Sequence, residues 1–277
     1  MNVKENLLEE IKKEKASEQK LNKLREALHH LILQEADRKG AFEQISFLGG
    51  TALRIVYGLD RYSEDLDFSS SAKSQKKFDL GPLTKGIQKS LEAFGFECAV
   101  EKLNVEHSVH KCFFAFPNLL HDLDKTFRKG QKLAIKFDVD TNPPAGATET
   151  LSPITGKQLY KVRHYEPASL FAGKLHALLF RMYSKGRDLY DFLWYTGKKT
   201  EVNLTLLENA IAQSQKKPIQ LNETLLREML KKRFEETDFE KAKKDVAPFV
   251  ENSDTLHLFE KEIFLNATQN LHATVKK

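Results

Sequence analysis

Two aspartates one residue apart, Asp65 and Asp67, alternate with the apolar residues Leu66 and Phe68 in the segment Arg61-Tyr-Ser-Glu-Asp-Leu-Asp-Phe68. Successive side chains of a strand point to opposite faces, so a strand here puts both carboxylates on one face and buries Leu66 and Phe68 on the other. The carboxylates then lie about 6 to 7 Å apart. At that separation they can share Mg2+ ions, which in turn hold phosphates. Upstream, Phe47-Leu-Gly-Gly-Thr-Ala-Leu-Arg54 removes the side chains at Gly49 and Gly50 and supplies a hydroxyl at Thr51. Such a turn lets backbone N–H groups approach a phosphate closely. A third carboxylate, Asp138, lies in Leu133-Ala-Ile-Lys-Phe-Asp-Val-Asp140. Alternation there puts Leu133, Ile135, Phe137 and Val139 on one face and Lys136, Asp138 and Asp140 on the other. Farther on, Lys174 is followed by Arg187-Asp188-Leu-Tyr-Asp191, in which Asp188 and Asp191 share one helical face.

Each feature alone has a plainer meaning. An Asp-x-Asp is common on solvated strand edges, a glycine pair often makes only a tight turn, and a helical lysine is usually solvated. Their order carries more: strand, Gly-Gly, helix, Asp-x-Asp strand, then a later strand with another aspartate. Two-metal nucleotidyl transfer needs those parts. Two carboxylates fix the ions, a third completes the site for the attacking hydroxyl, and the glycine turn holds the outer phosphates.

The elements that position these residues follow from hydrophobic period. Residues 4–39 contain no Pro or Gly and repeat Leu and Ile at three- and four-residue steps, which predicts one broken or two consecutive amphipathic helices ending at Gly40. Strands are expected at Ile45–Leu48 and Leu66–Ser69, with a glycine-opened helix from Thr51 to Tyr57, a polar loop from Leu59 to Glu64 and a polar connection from Ser69 to Ser74. A helix follows over Leu83–Phe94, stopped by Gly95. Phe96–Val105 and Val109–Phe116 read as an antiparallel pair, Asn118–Gly130 as a connection with a basic tail, and Thr148–Ile154 with Gln158–His164 as another pair of short strands. From Glu166 the period is helical: Pro167 opens a helix running to Met182, Arg187–Tyr195 is a second, and Leu204–Ala212, Leu221–Phe234, Phe239–Phe249 and Leu256–Leu271 are four more. Three domains are expected: N-terminal helices (1–40) packed on the core, an α/β domain (41–165), and a helical C-terminal domain (166–277).

The 277 residues carry a net charge of +5, spread as +2 from Glu166 onward (18 basic against 16 acidic residues) and +3 before it. No basic arm argues for nucleic acid from charge alone, although local clustering can still meet an anionic partner. Two cysteines, Cys98 and Cys112, sit in separate apolar stretches and suit buried thiols in a reducing cytoplasm. The charged start lacks the apolar segment of a signal peptide, and no apolar run approaches the ~18 residues of a membrane span. A cytoplasmic location and no membrane association are expected.

Leu48-Gly49-Gly50 and Asp65-Leu66-Asp67-Phe68, with 14 residues between Gly50 and Asp65, resemble the signature of the nucleotidyltransferase superfamily related to DNA polymerase β. The fuller wording is more specific. Gly49-Gly50-Thr51-Ala52-Leu53-Arg54, Arg61 to Phe68, Lys136-Phe137-Asp138, Lys174-Leu175-His176-Ala177 and Arg187 to Asp191 together resemble the AbiEii/AbiGii toxins of type IV toxin–antitoxin and abortive-infection systems, over roughly residues 40–195. The resemblance implies an α/β (α+β) fold, a nucleotidyltransferase-type mixed sheet with flanking helices followed by an all-helical domain. It implies a Mg2+-dependent enzyme, with two ions expected, that moves a nucleoside monophosphate from an NTP to an acceptor. The leading acceptor is RNA, at the tRNA 3′ end, with growth arrest as the outcome and a cognate antitoxin as partner. Asp65, Asp67 and Asp138 would hold the metal, with Asp138 as ligand or base. Gly49, Gly50 and Thr51 would hold the triphosphate, and Lys174 would meet the phosphates, oriented by Asp188 or Asp191. Arg61, Arg187 and Lys136 are secondary substrate-binding candidates; for Arg61 a salt bridge to Glu64 competes. His176, Trp194 and Tyr195 read as core or interface residues, and His29, His30, His107 and His110 lack the company of a zinc site. Two rival readings are a non-catalytic nucleotide-binding partner protein and a transferase acting on a protein hydroxyl.

Overall fold

The computed structural model describes residues 2–71 and 78–274; the expected polar connection from Ser69 to Ser74 lies outside them beyond Ser71. The contacts divide the chain into two units. The first holds residues 1–58, 62–142 and 151–164, and the second holds 59–61, 143–150 and 165–277.

The first unit is organised by a seven-stranded mixed sheet. Its strands are β1 (Ile45–Leu48), β2 (Leu66–Ser70), β3 (Ala99–Asn104), β4 (Val109–Phe116), β5 (Leu133–Asp140), β6 (Glu149–Ile154) and β7 (Tyr160–Tyr165), in the order β3-β4-β5-β2-β1-β7-β6. β2 runs antiparallel to β1 and parallel to β5, and β4 is antiparallel to both β3 and β5. The alternation in β2 and β5 does what the sequence predicts. Leu66, Phe68, Ile135, Phe137 and Val139 are buried, and Phe68 stacks on Phe47 and Phe137 with ring centroids 5.1 and 4.5 Å apart. That aromatic layer fixes the register, because a slip of one residue would turn the phenylalanines to the polar face.

Helices of this unit are α1 (Val3–Ile11), α2 (Ser17–Arg38), α3 (Gly49–Tyr57), α4 (Leu80–Ala93) and α5 (Leu119–Leu123). The N-terminal segment is thus two helices; α2 buries Leu24, Leu28, Leu31, Ile32 and Leu33. Lys4 pairs with Asp122 at 2.9 Å and Lys20 with Asp124 at 2.7 Å, tying α1 and α2 to the segment around α5. The Asn118–Gly130 connection contributes only that single-turn helix. Cys98 and Cys112 are buried, and burial pushes both thiols up to about 12.

The second unit is helical: α6 (Pro167–Phe180), α7 (Gly186–Gly197), α8 (Leu204–Gln215), α9 (Glu223–Glu235), α10 (Phe239–Val246) and α11 (Lys261–Gln269). Its core is aromatic, with Phe171 stacked on Tyr195 at 4.4 Å and Phe239 4.9 Å from Phe264. The expected helix Leu256–Leu271 is interrupted. A 3-10 turn covers Ser253–Leu258, and Phe259 leaves helical geometry at ψ 62 to bury its ring against Phe264. A two-residue parallel pair, Val202–Asn203 with Ala273–Thr274, has no counterpart in the sequence reading, since so short a strand has no period.

Candidate active site

Parallel pairing of β2 with β5 sets Asp67 beside Asp138. Neighbouring strands are ~4.8 Å apart, so the two side chains stand together on one face. Asp65 immediately precedes β2, two residues before Asp67, and its charge acts on Lys136. Lys136 forms an ion pair with Oδ2 of Asp138. Burial pulls the Lys136 ammonium down, but its hydrogen bond to Asp138 and the charges of Asp138, Asp65 and Asp67 outweigh this and hold it above the ordinary lysine range. Lys136 therefore senses all three carboxylates. The other oxygen of Asp138, Oδ1, is buried and has no hydrogen-bond partner among the described residues. Asp140, next along the face, is raised by burial, partly countered by the Asn142 N–H.

The glycine turn is fitted to this face. Leu48 is extended, Gly49 has φ +80°, and α3 begins there with no side chain capping it. A Cβ at Gly49 would lie 2.7 Å from Oδ2 of Asp67, so the absence of a side chain makes room for that carboxylate. The first N–H groups of α3 have no acceptor within the helix, and its dipole favours an anion at this end. Thr51 is buried and its hydroxyl donates to the Asp65 carbonyl. That bond holds the approach to the Asp-x-Asp strand, and the Thr51 backbone N–H belongs to the helix end. His29 of α2 supports the same approach, its Nε2 donating to the Glu64 carbonyl at 3.0 Å. The Glu64 side chain pairs with Arg25 at 3.1 Å.

A buried charge cluster lies in the second unit. Lys174 of α6 reaches Oδ1 of Asp188 at 3.0 Å and Oδ2 of Asp191 at 2.8 Å, both on α7. Both carboxylates hold the lysine, so neither of the two expected orienting residues is singled out. Arg61 donates from Nε to Oδ1 of Asp191 at 2.7 Å and from a terminal nitrogen to Oδ2 at 2.6 Å. Arg61 is 1% exposed, so its guanidinium is a buried bidentate partner of Asp191. Arg181 closes the cluster on Asp188. Burial pulls Lys174 down, but the Asp191 and Asp188 charges outweigh it and its pKa is raised. For Asp188, burial pushes up while the Lys174 and Arg181 charges prevail, so it is lowered. The Arg187 guanidinium lies 4.4 Å over the Phe249 ring. His176 bonds to Ser214, and Tyr195 is buried while Trp194 is half-buried.

The donor set of the first unit fits a hard divalent cation. It offers carboxylate oxygens, one of them buried without a partner, and a glycine cradle for the phosphates that such an ion accompanies. Among the described residues no three metal-ligating side chains already converge on one point; the Lys136 ammonium supplies positive charge at Asp138 instead.

No curated protein sequence matches the chain. Among solved structures, the nucleotidyltransferase toxin MenT4 from Mycobacterium tuberculosis H37Rv is similar in fold, with a TM-score of 0.56 at 14% identity over 96% of this chain and 89% of that one. JHP933 from Helicobacter pylori aligns over 90% of this chain and 88% of its own at 18% identity and a TM-score of 0.48. Residues 31–261 match the family model described as nucleotidyl transferase AbiEii toxin, type IV TA system. The chain therefore belongs to the AbiEii family of nucleotidyltransferase toxins.

Proposed function

We propose that this nucleotidyltransferase moves a nucleoside monophosphate from an NTP to the 3′ end of tRNA, halting translation, and that a cognate antitoxin restrains it. The observation that carries the reading is the pairing of Asp67 with Asp138 in register, with Oδ1 of Asp138 buried and without a partner beside the uncapped start of α3. Asp65, Asp67 and Asp138 would hold divalent metal, Mg2+ by preference. Bound there, such ions supply charge neutralisation for the triphosphate and acidify the acceptor hydroxyl.

The chain's own groups do the rest. The N–H groups of Gly49, Gly50 and Thr51 bind phosphate oxygens. The acceptor oxygen attacks the α-phosphorus, the α–β phosphoanhydride bond breaks, and pyrophosphate leaves with the bond's electron pair. Oδ1 of Asp138 is the atom that takes the acceptor's proton or serves as metal ligand, while Lys136 occupies Oδ2. Lys174 is the cation for the outer phosphates, with Asp188 and Asp191 holding its direction; Arg187 is a secondary contact.

The test incubates purified protein with each labelled NTP, Mg2+ and either total tRNA or total protein. Label in tRNA that disappears with D67A supports the proposal. Label confined to protein bands favours transfer to a protein hydroxyl, and NTP binding without any transfer favours a non-catalytic nucleotide-binding protein.

A further inference from the structure

The carboxylate face of the sheet continues past Asp138 onto β4 and β3. The register places Lys111 directly across from Asp138, and Phe113 across from Lys136. Paired residues share a face, with Cβ atoms about 5 Å apart. Lys111 is exposed and has no ion-pair partner among the described residues. It is therefore a cation one strand away from the proposed catalytic carboxylate.

The edge strand then departs from regular geometry. Glu101 pairs with Phe113 and Asn104 with Lys111, so β3 carries one extra residue between them. In a regular strand Lys102 would point away from the face of Glu101 and Phe113. Instead Lys102 has φ +53°, a left-handed conformation that is costly for a side-chain-bearing residue. Its exposed ammonium lies 5.5 Å from the centroid of the half-buried Phe113 ring. The bulge turns a second lysine onto the carboxylate face, next to an aromatic ring.

We propose that this outer part of the face, Lys111, Lys102 and Phe113, is the track for the single-stranded end of the RNA acceptor. The inference rests on the reading of RNA as acceptor and gives it a location. Lys111 stands across from Asp138, and Lys102 lies beside Phe113 two positions along β4, so two cations are available to a phosphate backbone whose terminal hydroxyl lies at Asp138. The Phe113 ring beside Lys102 offers a surface for a base. Sequence-independent phosphate contacts of this kind supply affinity and register. The acid on β3, the half-buried Glu101, is already paired with Lys132.

The test measures binding of labelled total tRNA, and separately of NTP, to the full-length protein and to K102A/K111A. Both lysines are exposed, and folding of the variant is checked by circular dichroism; K111R is a second variant that keeps the charge. The double variant is expected to bind tRNA about tenfold more weakly. Its plot of log affinity against log salt should be shallower by roughly 1.4, the value for two phosphate contacts on a single strand. NTP affinity should be unchanged, and K111R should bind tRNA like the wild type. Wild-type tRNA affinity and salt slope in the double variant would overturn the proposal. So would a loss of NTP affinity in place of tRNA affinity. Binding requires no turnover. A wild type that binds tRNA through these lysines yet transfers no label to it overturns the transferase reading and leaves the surface assignment standing. Transfer with an unaltered salt slope in the variant does the reverse.

Discussion

Gly49 and Asp67 compete for the same space. With φ +80° and a would-be Cβ 2.7 Å from Oδ2 of Asp67, position 49 tolerates a side chain only if the carboxylate moves. Two costs then combine in G49A, left-handed strain and displacement of Asp67. The variant is expected to lose roughly 1–3 kcal/mol of stability, measured by urea unfolding. Its nucleotidyl transfer should fall at least about tenfold, since misplaced reacting groups lose the advantage of orientation. The residue types of this site are legible in the sequence because strand alternation converts spacing directly into facing. Lys136 and Asp138 share a face by period, while Asp65 stands just ahead of the strand that carries Asp67. The partnership of Asp67 with Asp138 is a matter of register between strands far apart in sequence, and no local pattern states it.

At the scale of elements, α2 holds the loop before β2 through His29 and the Arg25–Glu64 ion pair. His29 is buried, donates to the Glu64 carbonyl, and is lowered to about 4, chiefly by burial. Because the folded pKa lies below the unfolded value near 6.5, the unfolded chain binds the extra proton between these pH values. Stability is fully present above about pH 6.5 and is lost as pH falls toward 4. Between pH 7.5 and pH 5 the loss from this group is roughly 2 kcal/mol. Urea midpoints should drop across that range in the wild type and drop less in H29Q; equal slopes in both would contradict the assignment. Helices α6 and α7 are joined differently, through Lys174, Asp188, Asp191 and the distant Arg61. Replacing Arg61 by Met leaves Asp191 short of a bidentate partner in a buried setting. R61M is expected to destabilise by about 3–5 kcal/mol, read as a lowered thermal midpoint. Nothing near Arg61 announces this role. Glu64, three residues away, is the local partner a sequence suggests, whereas Asp191 lies 130 positions along the chain. Helix stops show the same limit: the break at Phe259 follows from burial of its ring, a tertiary cause that periodicity does not contain.

Across the whole molecule, the change from mixed to helical period near residue 165 marks where the helical unit takes over the chain. Contacts also draw residues 59–61 and 143–150 into that unit, by way of Arg61 and of bonds such as that from Asn203 to the Gly146 carbonyl at 2.8 Å. These short visits are polar or proline-rich and carry no period of their own. No helix among the described residues is long and apolar enough to cross a membrane. Family membership gives the reaction class, and the proposal places it at the in-register aspartates. Pyrophosphate release coupled to labelling of tRNA, compared between wild type, D67N and D138N, tests that placement most directly. The account predicts Mg2+-dependent release in the wild type and a fall of at least about a hundredfold in each variant, with thermal midpoints retained. Undiminished release in both folded variants would contradict it.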